Sequence, residues 1–317
     1  MSDAADADAR PVIASTQALT QRFGSTLALD ALDVQILPGV TGLVGANGAG
    51  KTTLLNALLG LRTPTSGSAT VLGLDPRSQG AMLRTHVGFA PERDVLPDEM
   101  RAVDFVRHLA QVRGIPRSAA RTRASDSLWL VGLGEERTRT LGTMSTGQRQ
   151  RVKLAQSIAA DPQLVLLDEP TAGLDPTQRS EMLSLVAEIS SEHSVSVILS
   201  SHLLEEVERV CDHIVALQAG RLVANGPMAE LVGDDEGITL ELVDVAEPAG
   251  SVDEVERLLR RVGVEVERTG TTLRLGGSER GAISDHARDA VAQAGARIRR
   301  LEARRRTLAD LFEPTAP

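Results

Sequence analysis

The sequence predicts an α/β fold with a mixed sheet core, followed by a small α+β unit at its C-terminal end. An apolar run at 40–44 leads through a glycine-rich loop into a helix-like segment, an order typical of open α/β sheets. A second, fully apolar run at 164–167 is typical of a buried central strand. After Leu231 the pattern changes to short alternating strands and amphipathic helices, which indicates a separate unit.

The loop after the first apolar run fits the phosphate-loop pattern G-x-x-x-x-G-K-[ST] at every fixed position. Its glycines let backbone N–H groups turn around phosphate oxygens, and the start of the next helix adds a positive dipole end. Lys51 is expected to reach the β- and γ-phosphates, and the Thr52 hydroxyl to bind Mg²⁺. The sequence therefore predicts binding of a nucleoside triphosphate by Gly45, Ala46, Asn47, Gly48, Ala49, Gly50, Lys51, Thr52 and Thr53.

Two carboxylates, Asp168 and Glu169, directly follow the second apolar run. The carboxyl end of such a strand is where open α/β sheets place their ligands. We expect Asp168 to hold Mg²⁺ through water and Glu169 to orient or deprotonate the attacking water. The alternative is a strand capped by two surface acids, and the phosphate loop favours the catalytic interpretation.

The segment Met144–Gln150, between these two clusters, reads Met-Ser-Thr-Gly-Gln-Arg-Gln. It resembles the signature of the ATP-binding cassette (ABC) family, usually L-S-G-G-Q, and differs at Met144 and Thr146. Ser145 is expected to cap a helix, whose N-terminus is a second phosphate-binding device. The resemblance implies that the signature faces the γ-phosphate of ATP held by a partner cassette, so that the working unit is a dimer. An ordinary capped helix is the alternative for this segment alone. The predicted signature residues are Ser145, Thr146, Gly147 and Gln148.

The remaining elements of the ABC family follow in the expected order. The resemblance implies that Phe23 stacks on adenine and that Asp175 contacts the other cassette. It also implies that His202 hydrogen-bonds the γ-phosphate and holds Glu169 and the water in line. A further departure from the family matters more than those in the signature: Glu92 stands where glutamine is usual. Its carboxylate is expected to bind Mg²⁺ or a water, and members resembling drug-export ATPases often carry this glutamate.

The resemblance covers roughly one cassette, and the chain of 317 residues holds no second phosphate loop. It implies a mixed sheet core with an antiparallel β subdomain beside the nucleotide and a helical subdomain at about 95–142. Beyond the cassette, the order β-α-β-β-α-β predicts a small ferredoxin-like α+β domain, whose end at 308–312 resembles the closing helix of exporters with a C-terminal accessory domain. We predict a disordered tail at 1–11, a nucleotide-binding domain at 12–231, a linker at 232–237 and an accessory domain at 238–317.

Composition narrows the class of protein further. The formal net charge of −9 and the aromatic content of 2% disfavour binding of nucleic acid. The single cysteine, Cys211, is expected to pack as a small hydrophobe in a cytosolic protein. No apolar stretch approaches the roughly 18 residues needed to span a bilayer. We therefore expect a separate transmembrane permease subunit, with this chain bound peripherally at the cytoplasmic face of the cell membrane.

These expectations converge on an ATPase that uses ATP and Mg²⁺ to energise an ABC transporter, an exporter that resembles the drug-efflux type. One alternative is a soluble ABC ATPase that acts on ribosomes or DNA. The chain lacks the second cassette of the translation-factor branch and the coiled-coil insertion of the DNA-repair branch. A module that binds ATP without hydrolysis is the third hypothesis; Glu169 and His202 argue against it, whereas Glu92 leaves it open.

Overall fold

The computed structural model describes residues 12–93, 96–243, 252–276 and 280–312. Within them the chain divides into two compact units, and the second unit runs from Glu230 to Asp310. The tail predicted at 1–11 lies outside the described residues. None of the described helices has the length and the apolar character needed to cross a membrane.

The first unit contains two sheets and the helices around them. Its strands are β1 (Ala14–Phe23), β2 (Thr26–Ile36), β3 (Val40–Val44), β4 (Ser66–Val71), β5 (Val87–Ala90), β6 (Leu164–Leu167), β7 (Ser196–Ser201), β8 (His213–Gln218) and β9 (Arg221–Pro227). The helices up to the unit boundary are α1 (Lys51–Leu58), α2 (Gly80–His86), α3 (Ala102–Val112), α4 (Arg117–Leu130), α5 (Thr146–Ile158), α6 (Pro176–His193), α7 (Leu204–Val207) and α8 (Met228–Leu231). Short 3-10 turns lie at Glu136–Thr138 and Leu141–Thr143.

The larger sheet has the strand order β5-β6-β7-β3-β8-β9, with β9 antiparallel to its neighbour and the other neighbouring pairs parallel. Strands β3, β6 and β7 are buried along their whole length, as their apolar composition predicts. Leu167 pairs with Leu199, and Val44 pairs with Ser201. Because these parallel strands end in register, the loops that follow β3, β6 and β7 leave the sheet at the same edge.

The smaller sheet is antiparallel, with the order β2-β1-β4, and it shares a hydrophobic core with the larger sheet. Helices α3 and α4 contact each other and α5 and bury Phe105, Val106, Ala124 and Leu128. The antiparallel and helical parts therefore occur where the sequence predicts them. Helix α1, the helix-like segment predicted after the phosphate loop, begins at Lys51 with Gly50 as its N-cap.

The second unit is a four-stranded sheet with two helices. Its elements are β10 (Gly233–Leu242), α9 (Val252–Arg261), β11 (Glu265–Thr269), β12 (Thr272–Gly276), α10 (Arg280–Ala294), β13 (Ile298–Arg306) and a 3-10 turn at Leu308–Leu311. The strand order is β11-β12-β10-β13, and every neighbouring pair is antiparallel. The alternating residues Ile238, Leu240 and Leu242 pack with the helices in a core that belongs to this unit.

The structure corrects the linker predicted at 232–237, because β10 already begins at Gly233. Gly233 and Asp234 pair with Arg306 and Arg305 at the end of β13. The glycine and the acidic residues of this stretch suggested a turn, whereas the long partner strand offers their backbone groups a ladder of hydrogen bonds. The unit boundary at Glu230 also lies slightly before the predicted end of the first domain.

Candidate active site

The carboxyl edge of the larger sheet brings three of the predicted motifs together. The phosphate loop follows β3, the two acids follow β6, and His202 follows β7. Strand β7 lies between β6 and β3 in the sheet. The residues after β7 are therefore neighbours of both the phosphate loop and the acids, although they are distant in sequence.

At two positions of the phosphate loop, Gly45 and Gly50, the backbone has no space for a side chain. Gly45 has φ of +151°, and a Cβ there would lie 2.3 Å from the Leu217 carbonyl oxygen. Gly50 has φ of +108°, and its Cβ would lie 2.8 Å from the Ala28 carbonyl oxygen. A side chain at either position would clash with rigid backbone. The loop encloses one side of an open cavity of about 360 Å³, lined by Ala28, Ala46, Asn47, Gly48, Ala49, Gly50, Lys51, Thr52, Thr53, Glu92 and Glu169.

Lys51 is buried at the floor of this cavity, with 6% of its surface exposed. Its Nζ donates hydrogen bonds to the carbonyl oxygens of Gly45, at 2.7 Å, and Ala46, at 3.4 Å. It also forms an ion pair with Glu169, with 3.2 Å between Nζ and Oε1. The ammonium group is thus fixed by the loop itself and is oriented for an anion at the start of α1.

Glu169 lies between Lys51 and His202, and its surface is 6% exposed. Its second oxygen, Oε2, is 2.9 Å from Nδ1 of His202. Since an ionised carboxylate only accepts hydrogen bonds, Nδ1 of His202 is the donor in this contact. The backbone of Glu169 has φ of +49°, a left-handed conformation that costs a residue with a Cβ about 1–2 kcal/mol. Strain of this kind is typical of a functional residue that its surroundings hold in place.

Asp168 is also buried, and Ser200 connects it to Glu169. The Ser200 hydroxyl donates to Oδ1 of Asp168 at 2.7 Å and accepts the N–H of Glu169 at 2.8 Å. The N–H of Asp168 donates to the Ala90 carbonyl oxygen at 2.9 Å. Ser200 is a site residue that the motif did not single out, because a serine in an apolar strand gives no functional signal by itself.

The oxygen ligands at this edge fit Mg²⁺ chemically. Thr52 is exposed at the start of α1, and the Asp168 carboxylate keeps Oδ2 beside the Oδ1 that Ser200 holds. A hydroxyl and a carboxylate are the hard donors that Mg²⁺ takes in phosphate sites, where waters and phosphate oxygens complete its octahedron. Within the described ranges, no cluster of three or more His, Cys, Asp or Glu side chains is arranged as a metal site.

Glu92 lines the same cavity, and helix α5 holds its segment in place. The buried Lys153 donates from Nζ to the Glu92 carbonyl oxygen at 3.0 Å, and the buried Gln156 donates to the Phe89 carbonyl oxygen at 2.7 Å. These two side chains were not predicted as part of the site. Polar residues on a helix normally indicate its solvated face, so the sequence gave no reason to place them inside.

The signature residues do not line this cavity. Ser145 caps α5 in a capping box, in which its hydroxyl accepts the Gln148 N–H at 3.3 Å and its own N–H donates to the Gln148 side chain at 3.1 Å. The exposed Asp175 caps α6 by accepting the Gln178 N–H at 2.9 Å. Gln150 links the two segments by donating to the Ala172 carbonyl oxygen at 3.2 Å. The α5 terminus therefore keeps an exposed, positively polarised end outside its own chain's cavity.

Phe23 ends β1 and is 40% exposed, and it does not line the cavity either. The guanidinium carbon of Arg62 lies 5.0 Å from the centre of its ring, a cation–π contact. Ala28, on β2, is the residue of the smaller sheet that does line the cavity. It was not predicted, because alanine in a strand carries no binding signal.

A phosphate loop, a buried lysine and a buried carboxylate at one edge of a mainly parallel sheet define a phosphate-loop nucleoside triphosphatase. The family model described as ABC transporter matches residues 29–172. A solved structure, cbiO1 from Clostridium perfringens, part of the ABC transporter complex cbiONQ, is 27% identical with a TM-score of 0.64. The match covers 69% of this chain and 90% of that one.

Curated relatives extend the match beyond the cassette. The chain is 33% identical over 248 residues to the Nod factor export ATP-binding protein I of Cupriavidus metallidurans, covering 78% of this chain and 79% of the relative. It is 31% identical over 293 residues to the daunorubicin resistance ATP-binding protein DrrA3 of Streptomyces coeruleorubidus, covering 92% of each. The methionine import ATP-binding protein MetN of Mesorhizobium japonicum is 32% identical over 253 residues, covering 78% of this chain and 69% of the relative. The chain belongs to the ABC transporter family and is one of its ATPases, as the motifs predicted.

Proposed function

We propose that this chain is the ATP-hydrolysing subunit of an exporter, bound peripherally to a separate transmembrane permease at the cytoplasmic face of the membrane. The relatives named for export and for drug resistance support this direction of transport. The resistance protein DrrA3 matches over 92% of its length, whereas the import protein MetN matches over 69%. The match to DrrA3 is therefore long enough to include most of the second unit.

The position of Glu169 between Lys51 and His202 is the observation that carries the catalytic part of the proposal. Lys51 would bind the β- and γ-phosphates, and Glu169 would accept the proton of the attacking water. His202 would hold Glu169 through Nδ1 and keep it in line with the water. Around these three residues, the phosphate loop from Gly45 to Thr53 would bind the phosphates, and Phe23 would stack on adenine.

Mg²⁺ would be held by Thr52, by Asp168 and by Glu92, which lines the same cavity as Thr52. When bound, the metal would neutralise charge on the phosphate oxygens. The contribution of this chain is to hold the ligands in place: Ser200 fixes one Asp168 oxygen, and Lys153 fixes the backbone of Glu92.

A second copy of the cassette would complete the site. The exposed α5 terminus, with Ser145, Thr146, Gly147 and Gln148, lies outside its own cavity, and such a terminus binds anions. In a two-fold dimer each α5 terminus would face the γ-phosphate bound by the other chain, with Asp175 at the contact. The second unit, whose strand order suits a ferredoxin-like domain, would serve regulation or dimerisation.

Ser145→Arg tests the shared site, because it places bulk and positive charge at the α5 terminus. ATP binding should survive, since Lys51 and Thr52 are in the same chain, while hydrolysis should fall by about 10²-fold or more as the charge-stabilising helix end is lost. Lys51→Ala should lose both ATP binding and hydrolysis. Phosphate release and binding of a fluorescent ATP analogue measure the two effects.

Mixing the two variants makes this test specific. In a mixed dimer both defects can fall in one composite site and leave the other intact. When equal amounts are mixed at random, about half of the dimers contain one chain of each kind, and each of these has one intact site out of two. Activity should therefore return to about a quarter of the wild-type value if a single intact site can turn over alone. Loss of ATP binding in Ser145→Arg would show instead that the signature serves its own chain's cavity.

The direction of transport needs the permease. The chain should be co-expressed with a candidate transmembrane permease, and inside-out vesicles should be supplied with daunorubicin as the probe. An exporter should accumulate the probe only with ATP, and the Glu169→Gln chain should abolish the accumulation. ATP-dependent release of preloaded probe from these vesicles would contradict export.

A further inference from the structure

Ser200, on β7, forms hydrogen bonds with both acids of the site, Asp168 and Glu169. Its side chain is completely buried, with 0% of its surface exposed. Leu167 pairs with Leu199 across β6 and β7. The next residues along the chain are Asp168, directly after β6, and Ser200, on β7, so the register places the hydroxyl beside the first acid.

The Ser200 hydroxyl uses both of its hydrogen-bonding functions on this pair. It donates to Oδ1 of Asp168 at 2.7 Å, and it accepts the backbone N–H of Glu169 at 2.8 Å. Both distances are those of good hydrogen bonds, and none of the three residues is more than 6% exposed. A hydroxyl that bridges a carboxylate and the next amide fixes the side chain of one acid and the backbone of the other.

The backbone of Glu169 needs such a restraint, because its φ of +49° is unfavourable for a residue with a Cβ. If the peptide relaxed toward an ordinary conformation, the carboxylate would move away from Lys51 and His202, which contact its two oxygens. A displacement of about 1 Å at a reacting group can cost about 10²-fold in rate.

We propose that Ser200 is a positioning residue for ATP hydrolysis: its hydroxyl holds Glu169 in the left-handed conformation that aims the general base, and at the same time fixes the Asp168 carboxylate. The proposal rests on the function assigned above to Glu169. The proposed role depends on the two hydrogen bonds of the Ser200 hydroxyl, and the apolar residues of β7 cannot supply them.

The test is a set of substitutions that separate the hydroxyl from packing. Ser200→Ala removes both hydrogen bonds, and kcat should fall by about 10–100-fold while KM for ATP stays within about twofold. Ser200→Thr keeps the hydroxyl on a strand that accepts β-branched residues, and it should keep most of the activity. Ser200→Val has nearly the shape of threonine without the hydroxyl, and it should resemble Ser200→Ala.

Ser157→Ala is the matched control for the loss of a buried hydroxyl. Ser157 is also 0% exposed, and its hydroxyl donates only within α5, to the Leu154 carbonyl oxygen at 2.7 Å. This variant should lower the melting temperature about as much as Ser200→Ala does, with kcat unchanged per folded molecule. The control thereby distinguishes a positioning effect from a general loss of stability.

Hydrogen exchange of the Glu169 amide provides a readout independent of activity. The amide should exchange roughly tenfold faster in Ser200→Ala and Ser200→Val, because its buried acceptor is lost, and at the wild-type rate in Ser157→Ala. Wild-type kcat in Ser200→Ala, or equal kcat in the threonine and valine variants, would overturn the proposal. Unchanged exchange of the Glu169 amide in Ser200→Ala would also overturn it.

Glu169→Gln, measured in parallel, shows which inference has failed. If this variant hydrolyses ATP at the wild-type rate, Glu169 is not the base, and both the catalytic assignment and the role of Ser200 are wrong. If it is inactive while Ser200→Ala is fully active, the catalytic assignment stands and the positioning role alone is rejected.

Discussion

Replacing Glu169 with glutamine should stop hydrolysis and leave ATP binding intact. Glutamine has nearly the same shape, and its amide oxygen can still accept a hydrogen bond from Lys51 or His202, which lie 3.2 Å and 2.9 Å from the native carboxylate oxygens. An amide cannot take a proton from water at neutral pH. Because a general base contributes about 10²–10⁴-fold to a rate, kcat should fall by that factor.

The cost of this change to stability should be small enough for a clean measurement. Breaking a buried ion pair by removing one partner costs about 3–5 kcal/mol when the other charge is left alone. Here the Lys51 ammonium keeps the carbonyl oxygens of Gly45 and Ala46, and the new amide oxygen stays within reach. We therefore expect a loss of about 1–2 kcal/mol, in the range of one buried hydrogen bond to a charged group.

ATP binding should be as tight in this variant as in the wild type or tighter. In the wild type the Glu169 carboxylate and the phosphates compete for the Lys51 ammonium, and the neutral amide relieves that competition. With hydrolysis blocked, an ATP-bound dimer should accumulate and be visible by light scattering. Phosphate release measures turnover, and a fluorescent ATP analogue measures the dissociation constant.

Glu192→Gln is the matched control, since Glu192 is an exposed residue of α6 that does not line the cavity. It should hydrolyse ATP at the wild-type rate. A Glu169→Gln chain that kept more than about a tenth of the wild-type kcat would refute the reasoning, because that is outside the range of a lost general base.

Three further predictions follow from burial, backbone geometry and the division of the chain. Burial raises the pKa of the Cys211 thiol far above its usual range. Iodoacetamide at pH 7–8 should therefore label Cys211 only in the unfolded chain, and rapid labelling of the native protein would contradict this. Gly50→Ala should lower stability by about 1–3 kcal/mol more than Gly48→Ala in thermal melts. The reason is that a Cβ at Gly50 would lie 2.8 Å from the Ala28 carbonyl oxygen, whereas a Cβ at Gly48 would meet nothing within 4 Å. Equal melting temperatures of the two variants would contradict this prediction. Truncation after Leu231 should leave a folded cassette that binds ATP in equilibrium titrations, since the cavity-lining residues lie before it; a truncated chain without ATP affinity would show that the second unit is part of the cassette.

Local patterns account for much of what the sequence could predict. The apolar runs of β3 and β6 are short, as is typical of buried strands, and the phosphate loop is expected between a strand and a helix. Ser145 was predicted as a helix cap from its residue type, and it caps α5 through a capping box. In each case a few neighbouring residues determine the outcome.

Contacts between distant segments could not be predicted in the same way. The ion pair of Lys51 with Glu169 and the contacts of Lys153 and Gln156 depend on which elements lie side by side, and spacing along the chain does not encode that. The start of β10 was missed for the same reason. A glycine beside acidic residues resembles a turn until the partner strand is known.

The register of the sheet explains how these separate motifs become one site. Side chains alternate along a strand, so a shift of β7 by one residue would turn the Ser200 hydroxyl to the other face and replace it beside Asp168 with an apolar side chain or with Ser201. The same shift would move His202 away from Glu169. The native register is maintained by the buried pairs on both sides of β7, such as Leu167 with Leu199 and Gly42 with Leu199. Apolar packing inside the sheet therefore sets the distances among Lys51, Glu169 and His202 at its edge, and substitutions in these strands should alter hydrolysis even where they touch no nucleotide-binding residue.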